Sequence, residues 1–240
     1  MNHEQHTGPS PARPDVAEPT AQDVADGLAA AASSARLRAA LAAGTRPEPA
    51  LIGPLVRRCA VEPDFQVREM LTWALTRHDP DLTVVPLVGE LASALPQARS
   101  QALHTLSKIG DVRAWPALTA ALLHDPDDEV ARAAWRAAVV LAPPEESEGL
   151  AAVLVAQLGR GSRDVRLSLS RALVGLGDAA TAALDRAVEQ GDEEARAHAA
   201  ATRRLVADPD EAFDAALAEA RRVVALAAAP TGGGAAGADR

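Results

Sequence analysis

Tyrosine is absent, phenylalanine occurs only at Phe65 and Phe213, and there are three tryptophans. The chain therefore lacks the succession of aromatic platforms on which single-stranded nucleic acid stacks its bases. A single cysteine, Cys59, excludes an intramolecular disulfide; with no charged-then-apolar leader at the N-terminus, a reducing cytoplasm is the expected compartment. No uninterrupted apolar run reaches the roughly 18 residues of a membrane helix. No sustained apolar–polar alternation bounded by hairpin turns marks a strand. A soluble, all-α protein is expected. Lysine occurs only at Lys108, and acids exceed bases to a formal net charge of −9. That balance excludes a surface given over as a whole to nucleic acid, because phosphate affinity comes mainly from Lys and Arg. It leaves room for local basic patches.

What the chain has in excess is alanine, about a quarter of all residues, which favours helix and lets helices approach closely. With proline, and with arginine as nearly the only basic residue, the bias suggests a bacterial, GC-rich coding sequence. The alanines fall into a recurring pattern: a small apolar residue, usually an arginine, then apolar residues about three, seven and ten positions on. It recurs at Arg68, Arg99, Ala131, Arg166 and Arg196, at spacings of 30 to 35 residues. Such self-similarity marks stacked helical repeats, here an α-solenoid of about five to six helical hairpins.

Residues 1–22, with Pro9, Pro11, Pro14 and Pro19, form an expected disordered leader; residues 23–229 form the array; residues 230–240, rich in Gly and Ala, form an expected disordered tail. Ser34 and Gly44 are expected to cap the two ends of one helix. Pro54, Pro86 and Pro116 are expected to open the first helices of hairpins. Gly110 and Gly177 are expected to reverse the chain after second helices. The His78-Asp79-Pro80-Asp81, His124-Asp125-Pro126-Asp127 and Ala207-Asp208-Pro209-Asp210 stretches read as punctuation.

The run Leu122-Leu123-His124-Asp125-Pro126-Asp127-Asp128-Glu129-Val130, continuing through Ala134 and Ala138, resembles the HEAT repeat in the short form first noted in phycobilisome lyases. Ser162 to Gly177 resembles it equally, and the likeness spans roughly residues 50–207. The resemblance implies a binding scaffold and an arginine ladder, with Asp64, Asp164 and Asp192 as expected partners of Arg68, Arg166 and Arg196. Departures are Ala131 in place of arginine and the insertion Pro143 to Glu148.

At 100° per residue, positions two, five and nine after the ladder position point away from the core side of each second helix. This face is expected to line the concave surface. Its candidate partner-binding residues are Trp73, Arg77, His104, Lys108, Arg136 and Arg171, and between Arg77 and Arg171 those positions carry no acid. Val140 and Leu205 stand at the same expected wet offset. Trp135 is expected to pack between helices, Trp115 to cover a core end, and Trp73 to be partly buried. No two histidines have metal-ligand spacing on one helix. The His-Glu pairs of HEAT-like metal hydroxylases have no counterpart inside the array, and Cys59 reads as a small buried apolar residue. No nucleophile elbow, phosphate loop or dinucleotide fingerprint is present. No catalytic residue, cofactor or metal site is therefore expected, and oligomeric state is left open. The leading expectation is a non-catalytic scaffold binding a protein partner, with an acidic segment on the concave face. The alternative is a nucleic-acid-binding protein of the HEAT-like alkylpurine DNA glycosylase type, which uses an aspartate flanked by tryptophans. Bilin-lyase-like chemistry, suggested only by the short repeat form, ranks lowest.

Overall fold

The computed structural model describes residues 19–207 and 213–228. Its helices alternate in chain order: α1 (Ala21–Ala29), α2 (Ser33–Thr45), α3 (Pro49–Cys59), α4 (Phe65–Thr76), α5 (Pro80–Glu90) and α6 (Pro96–Ile109). They continue as α7 (Ala120–Leu123), α8 (Asp128–Leu141), α9 (Ser147–Val155), α10 (Arg163–Gly175), α11 (Thr181–Gln190), α12 (Glu193–Ala207) and α13 (Phe213–Ala228). Short 3₁₀ turns precede α7, α9 and α11. The described residues contain no strand. Odd-numbered helices from α1 to α11 stack in a first layer and even-numbered ones from α2 to α12 in a second. Six hairpins and a closing helix make an all-α solenoid.

Burial explains the layering. Each helix offers one apolar stripe, and the stripes meet between the layers in a core that includes Leu55, Leu71, Leu75, Leu87, Leu103, Leu106, Trp135, Leu141, Leu154, Leu169 and Leu173, all fully buried. Each such leucine contributes roughly 1.5–3 kcal/mol when removed from water. Trp135 lies between helices as its sequence position implies, and its indole N–H donates to the Leu123 carbonyl at 2.9 Å. Trp115 is half-buried against the same core.

Helix ends follow local chemistry, with several departures from expectation. Asp64, Asp79 and Asp127 accept hydrogen bonds from the first-turn N–H groups of α4, α5 and α8, satisfying otherwise orphan donors. Gly110 (φ 72°) ends α6, and Gly177 (φ 55°) turns the chain after α10. Pro54 and Pro86 lie inside α3 and α5, which open instead at Pro49 and Pro80. An interior proline costs a helical hydrogen bond, but Leu51 and Ile52 before Pro54 and Leu55 and Val56 after it are all buried, so the continuous stripe prevails. Pro116 lies within the 3₁₀ turn Val112–Ala117. Helix α7 is consequently only four residues long, leaving an apolar cleft of about 410 Å³ lined in part by Val88, Leu91 and Leu122. Ser34 is not a cap: α2 begins at Ser33 after Ala32, with no side-chain cap bond. At the leader, α1 starts at Ala21 with Thr20 and Asp23 forming a capping box, two residues before the boundary read from the sequence. Residues 1–18, the tail 230–240 and the Asp208–Asp210 part of the third punctuation stretch lie outside the described residues.

Gly44, expected as a C-terminal cap, sits within α2. A methyl group there would fall on the six-membered ring of Trp73 and within 2.9 Å of the Ala74 Cα, so this glycine admits the indole between α2 and α4. Gly44→Ala is expected to cost about 1–3 kcal/mol by overpacking and to shift tryptophan emission. Thermal denaturation with fluorescence detection checks this, and an unchanged melt and spectrum would show that the seam has slack.

Candidate functional site

The repeated arginine fastens the stack. Arg36 donates from Nε and Nη2 to Glu62 at 2.6 and 2.8 Å, and from Nη1 to the carbonyls of Ala30 and Ala31. Arg99 grips Asp125 through Nε and Nη2 at 3.0 and 3.2 Å and the Ser93 carbonyl through Nη1. Arg166 reaches Glu194 at 2.6 Å. Each thereby joins the loop before its own helix, or that helix, to the next repeat. The expected partners are corrected: Asp64 and Asp192 cap their helices, while Asp164 contacts Arg163. Among the described residues Arg68 hydrogen-bonds to the Glu62 and Pro63 carbonyls and to no carboxylate. Where alanine replaces arginine at Ala131, Arg160 reaches back from the following repeat to Asp128 and the Asp125 carbonyl, restoring the link by another route. Arg36 itself extends the ladder by one repeat at the N-terminal end; its signal is the Ala35-Arg36 pair, 32 residues before Arg68.

On the exposed side of the second layer, Arg77, Lys108, Arg136 and Arg171 are all exposed. None of the four makes a side-chain hydrogen bond or ion pair among the described residues, whereas the ladder arginines Arg36, Arg99 and Arg166 are engaged. Trp73 is 38% exposed, with its inner edge on Gly44. His104 is half-buried. Burial first, then the charges of Arg136 and Lys108, lower its pKa, with nearby Glu69 opposing. The imidazole is therefore neutral at neutral pH. Burial and neighbouring Arg132 lower the pKa of Arg136, with Glu129 and Glu69 opposing, so this guanidinium gains from any anion brought to it.

The row is less purely basic than its offsets imply. A groove of about 240 Å³ crosses α4, α6 and α8 and brings His104 and Arg136 together with Phe65, Arg68, Glu69, Gln101 and Glu129. Glu69 Oε1 lies 3.5 Å from His104 Nε2, and Glu129 pairs with Arg132 at 2.7 Å. The two glutamates sit one residue after and two before the ladder position, offsets that helical counting left out. Phe65, 65% exposed, carries Arg68 over its ring at 5.7 Å. Gln101 Oε1 is buried there with no hydrogen-bond partner. Trp73, Arg77, Lys108 and Arg171 lie outside this groove on the same layer face. At the far end the face closes, because Ala197, Ala201 and Leu205 of α12 are buried against Ala216, Leu217 and Ala220 of α13. Leu205, expected to be wet, is therefore covered, while Val140 is 52% exposed.

Cys59 is buried and its thiol is pushed up to about 12, chiefly by burial, which makes it a poor nucleophile. Among the described residues no group of three His, Cys, Asp or Glu side chains is placed to hold a metal ion, and no helix is long and apolar enough to cross a membrane. The glycosylase alternative gains no support, since the groove's carboxylates are glutamates and no aspartate lines it.

Residues 54–138 match the family model for HEAT repeats. No curated protein matches the chain. Among solved structures, the complex of CpcE and CpcF of phycocyanin lyase from Nostoc sp. PCC7120 is similar, at 15% identity and a TM-score of 0.39, covering 92% of this chain and 100% of that one.

Proposed function

We propose that this chain, which carries HEAT repeats and folds as their helical solenoid, is a non-catalytic scaffold that holds an acidic segment of a protein partner across its second-helix face. The observation that carries the reading is the set of exposed, unpaired cations Arg77, Lys108, Arg136 and Arg171 in a protein of net charge −9. Arginines that serve the fold are bonded to neighbours; Lys108, Arg136 and Arg171 are held on helices and Arg77 at the C-terminal end of α4, with their bonding capacity unspent. A stiff array presents such groups with little ordering cost on binding, and complementary charge supplies orientation and speed of encounter more than bulk affinity.

The experiment is affinity capture from the native cytosol with wild type and with the Arg136→Glu, Arg171→Glu pair. Both side chains are exposed, so the variant is expected to melt like wild type. Loss of the captured partner from the variant, and weaker capture as salt rises, is the expected result. Undiminished capture by the charge-reversed protein would overturn the reading.

A further inference from the structure

One rung of the arginine ladder lacks its carboxylate. Glu62 and Asp125 fill the rungs of Arg36 and Arg99, each gripped by Nε and Nη2 together. Both acids also accept the N–H two residues further on, from Asp64 and Asp127 at 2.9 Å. In the repeat between them the same place holds Ser93. Its hydroxyl accepts the Leu95 N–H at 3.3 Å, and its carbonyl accepts from Arg99 Nη1 at 2.9 Å, as the Glu62 carbonyl does from Arg68 Nη1. Ser93 therefore keeps the bonds of this position to its own helix and lacks only the acid.

Arg68, the arginine that Ser93 leaves without an acid, is nonetheless held in the ladder pose. Its Nη1 donates to the Glu62 and Pro63 carbonyls at 3.0 and 2.9 Å, six and five residues back, as Arg36 Nη1 does to Ala30 and Ala31 at the same separations. Its guanidinium also lies 5.7 Å from the centre of the Phe65 ring. The Nε and Nη2 edge, which grips a carboxylate in Arg36 and Arg99, makes no hydrogen bond among the described residues. Unlike the Nε atoms of Arg132, Arg166 and Arg196, it is not sealed from solvent. Arg68 lines a polar groove of about 280 Å³ with Pro96, Gln97 and Ser100 of α6. That groove shares Arg68, Ser100 and Glu129 with the one holding His104 and Arg136.

A guanidinium fixed along one edge and open along the other selects a planar pair of oxygens. The two filled rungs show that pair to be a carboxylate. The acids around the groove narrow the choice further. Asp127 is spent on capping α8 and Glu129 on Arg132, but Glu69 faces a neutral His104, so a doubly charged phosphate meets uncompensated repulsion where Arg68 balances a single carboxylate. Resting on the scaffold reading, we propose that Arg68 is an open ladder rung whose Nε and Nη2 take an aspartate or glutamate side chain of the partner, which supplies the acid that Ser93 does not.

Filling the rung from within tests this. Ser93→Glu puts the acid of the first rung into the empty one, so it is expected to raise the urea midpoint of the full chain, and Arg68→Met is expected to cancel that gain. No gain would mean that the fork does not accept a carboxylate. Arginine Nε–H resonances read the ligand side directly. Capped glutamate is expected to move the Arg68 resonance, identified by its loss in Arg68→Met, at about tenfold lower concentration than that of Arg171, because only Arg68 is pre-oriented by bonds to the fold; capped glutamine moves neither. In Ser93→Glu the Arg68 response vanishes and the Arg171 response stays. An Arg68 response no stronger than that of Arg171, one that survives Ser93→Glu, or one driven harder by inorganic phosphate than by capped glutamate overturns the carboxylate site. The native partner separates this contact from the reading beneath it. Ser93→Glu is expected to hold that partner about tenfold more weakly, while Ser93→Gln holds it like wild type. Undiminished binding by Ser93→Glu, with loss from the Arg136→Glu, Arg171→Glu protein, overturns the Arg68 contact alone. Native partner retained by the charge-reversed protein fells the scaffold reading itself.

Discussion

Glu62→Ala is expected to destabilise the N-terminal half of the array by about 3–5 kcal/mol, the usual cost of removing one member of a buried ion pair. Glu62 is fully buried between Arg36 and Arg58, accepting from Arg36 at 2.6 and 2.8 Å, from Arg58 at 2.6 Å and from the Asp64 N–H at 2.9 Å. Burial alone would raise the carboxyl's pKa. The hydrogen bonds from Arg36, the Asp64 amide and Arg58 overcome it and hold the group at about 2. Truncation strands Arg36, itself buried, and unties the α1–α2 loop from the α3–α4 loop. Because an uncompensated charge causes most of the damage, the double variant Arg36→Met, Glu62→Leu is expected to lie much closer to wild type than Glu62→Ala does. Urea titration of the three proteins checks the order. A double variant no better than the single one would show that hydrogen-bond geometry, not charge compensation, holds this joint.

The ladder also shows what could be read from the residues and what could not. The 30-to-35-residue period and the all-α solenoid were legible because every second helix must bury the same stripe, and burial writes itself into apolar spacing. Arg36 escaped because Ala39, Ala40 and Ala43 follow it where larger apolar residues follow Arg68 and Arg166, so the stripe is faint. Glu62 and Glu194 escaped for a different reason. Their arginines lie 26 and 28 residues away, and only the stacking register decides which acid meets which arginine; nearby Asp64 and Asp192 were drawn off to cap helices. Gly44 carries two meanings that its letter does not separate, a chain reversal or a space lent to a neighbour, and Trp73 decides between them. On the exposed face, counting offsets placed the row of Trp73, His104, Arg136 and Arg171 on one layer. It missed the flanking Glu69 and Glu129, because a groove across three helices is bounded by residues at several offsets. It could not foresee α13 covering Leu205, since that contact depends on where one further helix comes to rest.

Acid should loosen the opposite end of the array, through His198. This side chain is fully buried; its Nδ1 accepts from the Gly159 N–H at 3.1 Å, leaving Nε2–H to donate toward the Ser170 hydroxyl at 2.9 Å and the Arg166 carbonyl at 3.1 Å. The bonds thus fix a neutral tautomer. Burial pushes the imidazole down to about 4; the bond to the Arg166 carbonyl and Glu194 resist, and the Arg166 and Arg221 charges reinforce burial. An unfolded histidine titrates near 6.5, so between about pH 6.5 and 4 the unfolded chain binds the extra proton. The folded state keeps its full advantage above 6.5 and loses it as pH falls, by about 3 kcal/mol across that window. Glu62 acts in the same direction only at lower pH, between an ordinary carboxylate value and about 2, so the two windows separate. His198→Gln retains a neutral amide in the pocket and removes the titration. It is expected to be less stable than wild type at pH 7 but to show a flatter dependence between pH 6.5 and 4. Denaturant melts across that range measure both curves. Parallel curves would mean that His198 is not the group through which acid opens the joint between α10 and α12.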